Sequence, residues 1–108
     1  MYEALKSAIQ LSGIPLAEYA WNNAPQTGNY AVIALDSEAA GISGDNRKVD
    51  YATQGTVDLF CRTKDPADRR ALEEIFNRLE IAWEWNSTQF EQDKKLIHYE
   101  YVFELEAP

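Results

Sequence analysis

The 108-residue chain has little cysteine, little histidine and few bases: one Cys, one His, and ten Lys and Arg against eighteen Asp and Glu. A lone Cys61 excludes an internal disulfide, and Cys61 with His98 cannot fill a usual zinc cage of four protein ligands. The resulting net charge of −8 has the wrong sign for gripping a phosphate backbone, so binding to free nucleic acid is disfavoured. Long hydrophobic stretches are missing as well. The longest is the six-residue run at 30–35, and the first turn carries Glu3 and Lys6 in place of a basic leader, so neither a membrane span nor export is expected. What is present, 45% hydrophobic and 26% charged residues, suits one soluble intracellular α+β domain resting on its apolar core.

Order along the chain gives the elements. Tyr2, Leu5, Ala8 and Ile9 fall at helical spacing, with Gly13 and Pro15 as the stop, predicting a helix over 2–12. Residues 16–21 read as a strand, and Asn22, Asn23, Pro25, Gly28 and Asn29 as a loop. The run at 30–35 is apolar on both faces and predicts a covered strand. Residues 36–50 break the pattern and read as a long mobile loop. A strand at 51–61 places Gly55, Val57, Leu59 and Cys61 on one face and Thr56, Asp58 and Phe60 on the other, with Gly55 marking a bulge or a close backbone approach. Asp65 and Pro66 supply an N-cap and first turn for a helix whose apolar face is Leu72, Ile75, Phe76 and Leu79, with Glu74 and Arg78 spaced as an exposed pair. Ile81, Trp83 and Trp85 alternate as a strand, residues 92–95 turn, and Ile97, Tyr99, Tyr101, Phe103 and Leu105 point inward from a last strand with His98, Glu100 and Glu104 outward.

Few residues suggest chemistry. A histidine oriented by a carboxylate can act as a base, and His98 stands two residues from Glu100, but an exposed strand histidine accounts for it as well. Cys61 shares an apolar face and reads as a core thiol. Asp36, Glu38, Asp45 and Asp50 lack the ligand spacing of a calcium loop and read as solvated, while residues 41–44 (Gly-Ile-Ser-Gly) are too sparse to cradle a phosphate. Trp83, Trp85, Tyr99 and Tyr101 fit either an aromatic binding platform or cross-strand core pairs, the simpler account. No catalytic, cofactor-binding or metal residue is assigned, and no cofactor is expected.

Charge is uneven: residues 1–46 carry −4, 47–72 carry +2 and 73–108 carry −6. A basic middle between acidic flanks suits a protomer that meets copies of itself head to tail, the contact that closes into rings, but ordinary surface charge is the simpler account.

The array of elements, with Gly-Ile-Pro at 13–15, Gln-Gly-Thr-Val-Asp-Leu-Phe at 54–60, Lys-Asp-Pro at 64–66 and Leu-Ile-His-Tyr-Glu-Tyr-Val-Phe at 96–103, resembles the small tail terminator (tail completion) proteins of long-tailed bacteriophages and prophages. Asn29-Tyr30 stands where many of these have Pro-Tyr. The resemblance spans nearly the whole of 1–108 as a single domain. It implies an α+β fold with one mixed, mainly antiparallel sheet of about five strands and two helices, the longer one packed on one sheet face. It also implies a non-enzymatic virion protein that caps the tail tube as a homo-oligomeric, hexameric ring, stops tail polymerisation and offers the head-joining surface. The partners implied are the protein itself, the tail tube protein and a head completion or connector protein, in the host cytoplasm during assembly and then in the virion tail. Ile42, Arg47, Lys48, Arg62 and Lys64 are the candidate assembly residues, the loop 36–50 being expected to order on assembly. Six copies at −8 carry −48, so DNA would pass the channel without sticking. A head–tail connector or other minor tail component is the nearest alternative, and a monomeric ligand-binding module using the Trp/Tyr surface the alternative of another class.

Overall fold

A computed structural model of the chain describes residues 1–38 and 52–106. The order is α1 (Tyr2–Leu11), β1 (Leu16–Glu18), β2 (Tyr30–Glu38), β3 (Ala52–Cys61), α2 (Ala67–Arg78), β4 (Ala82–Glu91) and β5 (Leu96–Glu106). These strands form one open five-stranded sheet in the order β1-β2-β3-β5-β4, with β1 parallel to β2 and every other pair antiparallel. The fold is α+β, as the sequence predicts, with the longer helix on one sheet face.

Alternation decides which face is covered. Val57, Leu59 and Cys61 of β3 and Tyr99, Tyr101, Phe103 and Leu105 of β5 are buried beneath Leu5 and Ile9 of α1 and Leu72, Ile75 and Phe76 of α2. Residues one place along each strand point to the opposite face, which no described helix covers. A row of rings crosses that face: Tyr30 stacks on Phe60 with centroids 5.0 Å apart, and Phe60 on His98 at 4.5 Å.

Several boundaries differ from the sequence reading. The strand at 16–21 shrinks to Leu16–Glu18, because Tyr19 turns into the left-handed region at φ 64. Strand β2 runs to Glu38, so Asp36, Ser37 and Glu38 belong to it and not to a loop beginning at Asp36. Pairing explains this polar extension: Ser37 and Glu38 lie opposite Gln54 and Thr53 across a register shift, and the Asp36 carboxylate accepts a hydrogen bond from Thr56 Oγ1 at 3.2 Å. The remainder of the expected loop, with Asp45, Asp50, Ile42, Arg47 and Lys48, lies outside the described residues. At α2 the N-cap is Pro66, not Asp65; Asp65 adopts φ 51, and its side chain ion-pairs with Arg69 at 3.3 Å. The described ion pairs of α2 run from Arg69 to Asp65 and Glu73.

The parallel β1–β2 pair requires the chain to cross back along the sheet, and here residues 19–29 do so without a helix. Arg62 holds this crossover in place. Its Nε donates to Gly28 O at 3.1 Å and its Nη2 to Gln26 O at 2.8 Å, while its backbone N–H donates to Asn29 Oδ1 at 2.9 Å. Asn29 in turn donates to Asp68 of α2 at 2.9 Å. The variant Arg62→Ala is expected to lower stability by about 1 kcal/mol, since these bonds are solvent-exposed. Hydrogen exchange should show faster exchange at residues 22–29, with the sheet unaffected.

Candidate functional site

His98 is the residue with the strongest claim to acid–base chemistry, and its surroundings are those of a strand pair. It sits on β5 opposite Phe60 and Gln89, and its Nε2 lies 2.7 Å from Asp58 Oδ1. Glu100, the partner suggested by its spacing, instead accepts from Asn86 Nδ2 at 2.8 Å and Ser87 Oγ at 3.1 Å. Asp58 lies directly opposite Glu100 and diagonally across from His98, still within side-chain reach, and with Glu100 engaged by Asn86 and Ser87 it is Asp58 that orients the imidazole. His98 Nδ1 is buried without a hydrogen-bond partner among the described residues, with Glu91 Oε1 3.5 Å away.

The Asp58 hydrogen bond raises the His98 pKa above the ordinary 6.5 against the opposing effect of burial, and the charges of Asp58, Glu91 and Glu100 raise it further. A histidine pKa raised by folding means that the folded state binds the proton more tightly than the unfolded chain does. The added stability is therefore complete below the unfolded value near 6.5 and fades as pH rises through the higher folded value. The imidazole should titrate above 6.5 in an NMR pH series, and Asp58→Asn should lower its pKa and flatten this part of the stability profile. A wild-type value at or below 6.5 would sink the assignment.

Cys61 is fully buried, and burial pushes its thiol up to about 12, which keeps it protonated at neutral pH. Among the described residues no group of three His, Cys, Asp or Glu side chains is placed to hold a metal ion, and no helix is long and apolar enough to cross a membrane.

The four aromatics offered as platform or core divide between the two. Tyr101 and Tyr99 are buried, and Trp83 packs at 5.7 Å from Tyr101 while its Nε1 donates to Asn77 of α2 at 2.8 Å. Trp85, one alternation further along the edge strand β4, is 49% exposed. Where Trp83 packs on Phe76 of α2, Trp85 packs on Arg69. Its guanidinium lies 4.1 Å from the Trp85 ring and 4.6 Å from that of Tyr99, wedged between aromatic faces at the start of α2. The same group donates to Tyr101 Oη at 3.1 Å and pairs with Glu73, whose carboxylate accepts the Tyr101 hydroxyl proton in a short hydrogen bond. Burial first, then the Glu73 bond, raises the Tyr101 pKa well above the ordinary phenol value, so this hydroxyl remains a donor.

Beyond Arg69 the surface falls into a groove of about 520 Å³ lined by Lys64, Arg69, Trp85, Phe90, Ile97 and Tyr99 among others. Phe90 is 60% exposed at the far end of β4, an apolar residue in the polar run that closes the strand. Of the five candidate assembly residues, Lys64 stands on this groove and forms no ion pair among the described residues. Arg62 faces its own crossover loop. Sequence reading missed Phe90 and Tyr19; a large apolar side chain beside polar neighbours is the available signal for Phe90, whereas nothing local marks Tyr19.

No family model matches the chain, and no curated protein matches it. Its fold is similar to that of a chain in a solved structure described as "Virion of native gene transfer agent (GTA) particle", with TM-score 0.55 and 12% identity, covering 97% of this chain and 89% of that one. At this identity the similarity is one of fold.

Proposed function

We infer that the protein is a virion structural protein of the phage-tail kind, acting as a tail terminator: a homo-oligomeric, hexameric ring that caps the tail tube and offers the surface that joins the head. The observation that carries this reading is the fold shared over 97% of the chain with a virion component. The element order and motifs that resemble tail terminators support it, and so does a sheet with two open edges. The partners are further copies of the chain, the tail tube protein and a head completion protein, with DNA passing through an acidic channel. Neither His98, paired with Asp58, nor the buried Cys61 is given a catalytic part.

Deleting the gene from the phage or prophage that encodes it is expected to give tails of uncontrolled length and unjoined heads, read by electron microscopy. Tails of normal length already joined to heads would overturn the proposal. Tails of normal length beside unjoined heads would favour the connector reading instead. The ligand-module reading rests on the groove beside Trp85, and would predict a monomer that caps no tube end.

A further inference from the structure

Tyr19 takes up a positive φ at the end of β1, where its N–H donates to Ile33 O at 2.9 Å. The Ala20 N–H donates to Glu18 O at 2.7 Å, closing a γ-turn about Tyr19 at φ 64. A positive φ is disfavoured for a bulky side chain and free for glycine, and γ-turns of this sense are strained. Yet the Tyr19 side chain is 63% exposed, so little packing within the chain offsets the strain. Strained backbone clusters at functional sites and ligand clamps, and of the four positive-φ residues other than glycine among the described residues, Tyr19 is the one with a large exposed aromatic side chain.

The opposite edge carries a receptor of matching chemistry. Trp85 and Phe90 flank the groove at 49% and 60% exposure, and Arg69 and Tyr99 form its wall. Charge is complementary: at α1 and β1, next to Tyr19, Glu3 and Glu18 outnumber Lys6, while at the groove Arg69 is already met by Asp65 and Glu73 and Lys64 stands without an ion pair among the described residues. The strand order places β1 and β4 at opposite ends of the sheet, so the two surfaces meet only between copies, and always head to tail. Among the described residues β4, Ala82–Glu91, is also an edge strand of the sheet.

We propose that Tyr19 of one copy seats in the Trp85/Phe90 groove of the next copy, as the repeating contact of the oligomer. The proposal rests on the assembly reading above and names its surfaces. Tyr, Trp and Arg are the side chains that dominate the energetics of most protein contacts, which fits a small contact of this composition.

The test combines two variants with native mass spectrometry over a concentration series, alone and with isolated tail tubes. The variant Tyr19→Gly relieves the strained φ, so its thermal midpoint should equal or exceed the wild type while self-association weakens at least tenfold. The pair Tyr19→Cys with Phe90→Cys should yield oxidised ladders longer than a dimer, Cys61 being buried. Dimers from Phe90→Cys alone would indicate a two-fold groove-to-groove contact and overturn the proposal. A ring that forms unaffected by Tyr19→Gly, with no ladder from the cysteine pair, would overturn it and leave the assembly reading standing. If Tyr19→Gly leaves the ring intact and Phe90→Ser blocks only tube or head attachment, the groove serves another protein and the proposal fails. A strict monomer in solution and on tube ends would overturn both.

Discussion

Truncating Phe76 to alanine is expected to remove about 3–5 kcal/mol of stability, the usual cost of deleting a large buried ring. Phe76 is wholly buried on α2, and its ring centroid lies 5.9 Å from Trp83, 6.1 Å from Tyr101 and 5.9 Å from Phe103. Those three rings belong to β4 and β5, which are held in register by the sheet ladder and so cannot easily close over the void. With domain stabilities of about 5–15 kcal/mol, the variant stands near the edge of folding at room temperature. Urea unfolding followed by far-UV circular dichroism reads the difference. The half-buried neighbour Leu79→Ala serves as control and should lose clearly less. Loosening of α2 would also displace Arg69 from between Trp85 and Tyr99, so tryptophan emission should shift before the global transition. A loss below about 1 kcal/mol would show that the aromatic cluster does not anchor the helix.

Adding one methyl group at Gly55 is expected to be nearly as harmful. A Cβ built there would lie 2.6 Å from the carbonyl oxygen of Ala34 and closer still to the Phe103 ring. The ring has some freedom, but the carbonyl belongs to the neighbouring strand, where Leu35 pairs with Gly55, and its retreat would pull β2 from β3. Overpacking of this kind costs about 1–3 kcal/mol where side chains alone adjust, and Gly55→Ala should fall at or above the upper end. The double variant Gly55→Ala with Phe103→Leu separates the two clashes: relief of the ring alone should recover only part of the loss. Full recovery would mean that the β2 backbone moves freely, contrary to the ladder geometry.

Gly55 also shows how far local pattern reaches. A glycine within an alternating strand announces either a bulge or a close approach, and the sequence offers no choice between them. The structure has the approach at Gly55 and a register shift in the facing strand, between Leu35 and Ser37. Period-two alternation on β3 and β5, and the Leu72, Ile75, Phe76 spacing on α2, were legible because each depends only on neighbours a few residues away. The groove was not, since it needs Arg69 from α2, Trp85 and Phe90 from β4 and Tyr99 from β5 to be brought together by pairing and packing. His98 illustrates the same limit at the scale of one side chain. Its sequence neighbour is Glu100, but its partner is Asp58, forty residues away and adjacent only because β3 and β5 pair.

The sequence by itself determined the α+β class, the two helices, the inward faces of the long strands and the acidity, because propensity, hydrophobic period and charge are properties of short windows. Only the tertiary structure decided the strand order, and with it which edges stay open. Those edges present a strained Tyr19 at one end and an Arg69-lined aromatic groove at the other. Such features arise from long-range pairing, in which residues far apart in the chain fix one another's exposure, and no window of sequence contains both partners.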